Sequence, residues 1–189
     1  MAVNLVKSEK INLSKAAPGL AVVRAGLGWA PGAGFDLDVS VFGLTSAAGS
    51  PKLVGEEWLV YFNNKSSPGN AIVHSGDNLT GDGDGDDETI KVDLAALAHA
   101  PAVDEISIIV NIYDAVARNQ HFGDVKDAYI KIYNDKNGEV LAEYKLTENF
   151  TSETAVQVGS FFKNGAEWEF QAVGAGFNKD LGDFVAIYQ

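Results

Sequence analysis

Between Gly76 and Thr89 the chain reads GDNLTGDGDGDDET. Six acidic side chains (Asp77, Asp82, Asp84, Asp86, Asp87 and Glu88) stand among four glycines, without a lysine or arginine. Carboxylates this close repel and lift one another's pKa values. The run is therefore either spread through water as a solvated loop or gathered around a cation. Hard divalent cations take about six to eight oxygen ligands, and glycine lets the backbone bend around them. Asp82, Asp84 and Asp86 alternate with glycines like the opening of a helix-loop-helix calcium loop, and Asp93 falls at its twelfth position. The sixth position, however, is Asp87 where that loop needs glycine, and the following TIKVDL reads as a strand. The segment is not an EF-hand.

Two other stretches move the reading from the solvated loop toward a cation. In FDLDVSVF, Asp36 and Asp38 are two apart on an expected strand. Both carboxylates then face one side, roughly 6–7 Å apart along the chain, with Leu37, Val39 and Val41 on the opposite, buried face. In VYFNNKSSPGN, Asn63-Asn64 closes a strand and offers amide oxygens, although Asn-Asn is also a plain turn signal. If these segments meet at one edge, they supply oxygens for one or two ions. Calcium is preferred over magnesium, which keeps its waters and resists all-protein cages. Zinc would want more than His74 nearby.

The elements that must bring these residues together read as short strands between turns. VDEISIIVNIYD puts Ile106, Ile108, Val110 and Ile112 on one face, and Ser107, Ile109 and Asn111 on the other. DAYIKIYNDKNGEVLAEYKL predicts a hairpin turning at Asn137-Gly138, and TAVQVGSFFKNGAEWEFQAV a second turning at Asn164-Gly165. AVVRAGLGW, FDLDVSVFGL, EWLVYF, AIVHS and TIKVDL complete the strand set. Helix signals are brief: ALAHAP, stopped by Pro101; DAVARNQHF, a short helix or a loop; and KDLGDFVAIY, with Leu181, Phe184, Val185 and Tyr188 on one stripe. About ten short strands with a few short helices predict a mainly β fold, an antiparallel β-sandwich, over a single domain spanning 1–189.

Composition narrows the function further. A net charge of −12 argues against nucleic acid and anionic membrane surfaces, which need a basic footprint. The chain has no cysteine and a single methionine, Met1, so thiolate metal sites, disulfides and thiol redox chemistry are excluded. MAVNLVKSEKINLSK lacks a signal-peptide core, and no stretch approaches the roughly 18 apolar residues of a membrane span. A soluble cytoplasmic protein is the expectation.

The same segments carry a resemblance. GLGW at 26–29, FDLD at 35–38, YFNN at 61–64, HSGDNLTGDGDGDDE at 74–88 and RNQHFGDV at 118–125 make the chain resemble the TerD family, the tellurium-resistance and general-stress proteins of bacteria, over essentially its whole length. The resemblance implies a β-sandwich binding calcium, two ions being expected, within a stress-response operon, and no firmly attached enzymatic activity. Carried over by motif, the ligand candidates are Asp36 and Asp38 (the DxD), Asn64 (the YNN), and Asp77, Asp86, Asp87 and Glu88 (the GD…GDDE). Asp82 and Asp84 fall at acidic but more variable positions. Many members read GWD where this chain has Gly28-Trp29-Ala30, which implies a weakened or altered ion site.

Function then divides into three readings. The first is a calcium-ordered binding or signalling module that docks a protein partner, with other stress-operon products as candidates. Calcium bridging to lipid phosphates is its membrane variant. The second is a small-ligand binder for a nucleotide or sugar, which exposed aromatics at Trp29, Trp58 or Tyr61 would favour, although core packing is expected for the latter two. The third and weakest is a metal-assisted hydrolase on the same acidic edge, with His74 as base. It predicts a deep pocket lined by His74 and the acids, whereas a binding module predicts an open, ion-filled edge. His99 reads as incidental, and Arg118-Asn119-Gln120 before His121 as an anion-binding or capped loop. Without cysteine, any tellurium resistance must be indirect.

Overall fold

The computed structural model describes residues 3–4, 10–12, 17, 19–32, 34–46, 49–100, 102–165 and 167–189. Thirteen strands lie among them. They are β1 (Val3–Asn4), β2 (Lys10–Asn12), β3 (Val22–Gly28), β4 (Leu37–Thr45), β5 (Lys52–Leu53), β6 (Leu59–Val60), β7 (Ile72–His74), β8 (Glu88–Asp93), β9 (Glu105–Ile112), β10 (Tyr129–Asn134), β11 (Glu139–Lys145), β12 (Ala155–Asn164) and β13 (Glu167–Phe177). The excess over about ten comes from pieces two or three residues long, too short to leave a period in the sequence.

The strands form two sheets, ordered β1-β11-β10-β3-β8-β7 and β2-β13-β12-β9-β4-β5, with β6 beside β4. β1 and β11 run parallel, and every other described pairing is antiparallel. Both expected hairpins form, β10–β11 and β12–β13. Their turns hold Gly138 and Gly165 at positive φ, where other residues are strained.

Alternation builds the layer between the sheets. Ile130 and Ile132 of β10, Ile90 and Val92 of β8, and Trp168, Phe170 and Ala172 of β13 enter one core with Leu37, Val39 and Val41 of β4. β4 and β9 depart from simple alternation, because both of their faces are buried. The cause is the C-terminal helix Leu181–Tyr188. Its Phe184 and Tyr188 form a second cluster with Phe42, Leu44 and Ile109, and Leu181 and Val185 pack beside it. The helix starts at a capping box in which Asp183 N donates to Asp180 Oδ1 at 2.9 Å and Asp180 N donates to Asp183 Oδ2 at 3.1 Å. Each large apolar side chain buried this way is worth roughly 1.5–3 kcal/mol.

The helical turn expected in ALAHAP, 96–101, forms earlier, at Leu94–Leu97, because Asp93 caps it and ends the strand read in TIKVDL one residue sooner; Pro101, read as its stop, lies outside the described residues. DAVARNQHF divides into a turn at Ala115–Arg118 and a 3-10 turn at Phe122–Asp124. Among the described residues no helix is long and apolar enough to cross a membrane.

Candidate metal centre

The DxD of FDLD lies where β4 begins, Asp36 just ahead of the strand and Asp38 as its second residue. The acidic stretch connects β7 to β8, two neighbours in the opposite sheet. One edge of the sandwich therefore joins them. Oxygens of Asp36, Asp38 and Asp77 all lie within 4.8 Å of one another. Calcium binds oxygen at about 2.3–2.6 Å, so two ligands of one ion can be at most about 5 Å apart; the three carboxylates meet that limit. Asp36 and Asp38 are 6% and 3% exposed, and Asp36 Oδ1 has no hydrogen-bond partner. The acids were expected on a face opposite the buried one, yet they are buried too, with Asp77 of the acidic loop close by and the Asn111 side chain against Asp38.

The electrostatics follow from this burial. Asp38 is pushed up to about 8, first by loss of water and then by Glu88, Asp36 and Asp77; a hydrogen bond from Asn111 opposes the rise. Asp36 is raised by burial and by Asp77, with the Arg118 guanidinium pulling the other way. Such shifts mark carboxylates held together with too little compensating charge.

Asp38 and Asn111 are direct partners in the β4–β9 ladder. Asn111 Nδ2 donates to Asp38 Oδ2 at 3.4 Å, while its own Oδ1 is buried and unpartnered. Sequence reasoning missed Asn111 as a site residue, since only the strand register brings it to the DxD.

The remaining candidates lie outside that group of three and make other contacts. Glu88 is fully buried, with Oε2 accepting from Val39 N at 2.9 Å and Oε1 from Asn78 N at 3.2 Å. Its carboxylate thus holds the residues that follow Asp38 and Asp77. His74 supports it from behind: Nδ1 accepts from Gly76 N at 2.9 Å, and Nε2 lies 3.5 Å from Glu88 Oε2. Asp87 accepts from Trp29 N at 2.9 Å and Asn78 Nδ2 at 3.2 Å, and burial raises its pKa.

Asp86 faces away from the cluster, over β3 and β10. It meets Arg24 Nη1 at 3.0 Å, Tyr133 Oη at 2.9 Å and Tyr129 Oη at 3.2 Å. Its place depends on Gly26, where a Cβ would collide with the Asp86 carboxylate. Asp82 and Asp84 are exposed. Asn64 closes a turn, exchanging backbone hydrogen bonds with Tyr61 and donating Nδ2 to Leu59 O at 2.6 Å. Of the nine residues proposed from sequence, the structure gathers three.

Asn78 was also missed. Its Oδ1 accepts from Thr80 N and Gly81 N, both at 3.1 Å, and so folds the loop back on itself. An Asn following Asp77 at a turn was the available signal. Gly81, at φ +69, sits where a Cβ would meet both the Trp29 indole and the Trp29 carbonyl, which ties the loop to GLGW.

Comparison with known proteins agrees with the fold. The TerD domain profile matches residues 1–188. The chain belongs to the TerD family. It is 42% identical to general stress protein 16U of Bacillus subtilis, and also 42% identical to tellurium resistance protein TerD of Serratia marcescens. Each alignment covers all of this chain and 97% of the relative. A crystal structure of a homologue of the telluride resistance protein TerD from Streptomyces coelicolor superposes with a TM-score of 0.73 at 26% identity, covering 88% of this chain and 96% of that one. Ala30, which follows Gly28-Trp29, donates its backbone N to Lys126 O at 2.9 Å.

Proposed function

We propose that this TerD-family chain is a calcium-binding module of a bacterial stress response, associated with resistance to tellurite and chemical stress. It acts in the cytoplasm by docking a protein partner once calcium has ordered its acidic edge, and not by redox chemistry or hydrolysis. The family and its relatives, named for tellurium resistance and general stress, support the stress role. The absence of cysteine leaves no thiol to reduce or hold tellurium.

One observation carries the calcium reading: three carboxylates, two from the start of β4 and one from the β7–β8 loop, converge within 4.8 Å, with a buried oxygen of Asp36 lacking any partner. Asp36, Asp38 and Asp77 would hold the ion. Bound there, calcium would supply the positive charge that these carboxylates lack. Glu88 and Asn78 position the two segments that bring the ligands. Among the described residues there is one such cluster, so it accounts for one of the two ions expected. His74 is 4% exposed, and the cleft at the site is lined by Asp38 but not by His74. That arrangement favours an ion-filled edge over a hydrolytic pocket.

The test is a calorimetric calcium titration of chelator-treated protein, with magnesium as control and Asp38→Asn as the variant. Saturable binding selective for calcium and lost in the variant is expected. Equal weak binding of both ions, or an unchanged variant, would return the stretch to a solvated acidic loop.

A further inference from the structure

Beside the metal centre lies a second feature that calcium does not explain. A cleft of about 360 Å³ has Asp38, Phe62, Asn111, Tyr113, Asp114 and Asp180 in its lining. It opens between the end of β9 and the start of the C-terminal helix. Its charged groups, Asp38, Asp114 and Asp180, are all acidic, and no lysine or arginine lines it. Acidity alone would describe a solvated rim, but two further observations point to an occupant. Asn111 is 3% exposed, lines the cleft, and leaves Oδ1 buried without a partner, so an acceptor there lacks a donor. The wall is aromatic: Tyr113 is 45% exposed and stands edge to face with Phe62, centroids 6.2 Å apart.

From this cleft we propose that the protein binds a small organic cation, a guanidinium or primary ammonium on a short alkyl arm. Oxygen acceptors of the lining call for a group made only of donors, which both cations are. The two exposed carboxylates, Asp114 and Asp180, call for positive charge. The aromatic wall suits a cation that sheds part of its water, since the ring face attracts it. The Arg118 guanidinium lies 5.3 Å from the Tyr113 centroid, so a bound cation would have to share that ring with it or displace it. A sugar or nucleotide would satisfy the acceptors less well, and a phosphate would be repelled by Asp114 and Asp180.

The proposal does not depend on calcium, but the two sites share Asp38. An ion on Asp36, Asp38 and Asp77 takes one carboxylate from the cleft. Calcium and the organic cation should therefore weaken each other's binding by the same factor, as linkage requires.

The experiment is calorimetric titration of the full chain with agmatine, in chelator and in saturating calcium, alongside a blocked arginine tripeptide. The decisive variant is Asp114→Asn with Asp180→Asn. Asn tolerates the left-handed backbone of Asp114, φ 52, and caps a helix as Asp does, so folding is retained; thermal unfolding checks this. Saturable agmatine binding is expected, reduced roughly tenfold or more in the double variant and roughly threefold by Tyr113→Ala. Tripeptide binding would assign the cleft to an arginine side chain of a partner, and binding of agmatine alone to a free amine.

Absence of saturable binding would overturn the proposal. So would an equal loss in Glu56→Gln with Glu57→Gln, distant acids that report only general attraction to a net charge of −12. Agmatine binding where calcium gives no heat upholds the cleft alone. Calcium binding without agmatine binding overturns the cleft and leaves the metal centre standing.

Discussion

Glu88 and Val39 are joined by a buried hydrogen bond of 2.9 Å that crosses from β8 in one sheet to β4 in the other. The same carboxylate takes Asn78 N at 3.2 Å. One side chain therefore fixes the distance between the residues after Asp38 and Asp77, and with it the gap an ion would fill. Glu88→Gln keeps the shape but has a single acceptor oxygen for two donors, leaving one N–H unpaired. A buried unpaired donor costs about 1–3 kcal/mol. Relief of repulsion against Asp38 offsets part of this without calcium, so the loss should be larger in calcium than in chelator. Urea unfolding in both conditions measures the difference; equal losses would show that Glu88 does not position the ligands.

Asp36, Asp38 and Asp77 should separate from Asp86 in a calcium titration. Substitution by Asn at any of the three should weaken calcium at least roughly tenfold, about 1.4 kcal/mol. Asp86→Asn should leave affinity nearly unchanged and instead destabilise the fold by about 1–3 kcal/mol, since Arg24, Tyr129 and Tyr133 lose their shared carboxylate. A tenfold weakening in Asp86→Asn would place that residue among the ligands.

Calcium should stabilise the protein by mass action, about 2.7 kcal/mol at one hundred times the dissociation constant. The melting temperature should rise with added calcium in wild type and stay flat in Asp38→Asn. A matching rise with magnesium would argue for general screening of negative charge.

The pH dependence of stability should have a contribution far from the metal centre. Glu105 is 4% exposed at the opposite end of β9 from Asn111, and burial raises its pKa above the ordinary 4.5, with Asp104 adding to the rise and hydroxyls of Ser160 and Ser46 opposing it. A raised carboxyl pKa means that the fold prefers the protonated acid. That stability is present below the unfolded pKa and is lost as pH rises through the folded one. Glu105→Gln should therefore gain on wild type as pH rises from about 5 to 8, read from urea midpoints. A constant difference across that range would refute the assignment.

The sequence showed how individual strands alternate, but it could not show which strands lie together. Asp36 and Asp38 were legible because two acids on one strand must share a side. Asn111 was not, because its role exists only through the register that sets it opposite Asp38. Asp86 and Glu88 stood beside Asp77 as ligand candidates because the GD…GDDE motif of the resemblance carries all of them. They differ in what lies beneath them, a glycine that lets Asp86 settle over β3 and two backbone N–H groups that occupy Glu88. Ile109 read as an outward residue until the C-terminal helix covered it. Trp29, Trp58 and Tyr61 were the aromatics considered for a ligand face, yet both tryptophans are buried and the exposed ring belongs to Tyr113.

β4 and β9, buried on both faces, are where the backbone should be slowest to exchange its amide hydrogens, because opening either strand uncovers two cores at once. Asp38 and Asn111 stand on that slow part. Asp77 comes from a loop whose residues are largely open to water. The centre is thus half anvil and half latch. An ion gripped between them would leave at the rate at which the latch lifts, so changes in loop residues such as Asn78 or Gly81 should alter how long the ion stays more than where it sits.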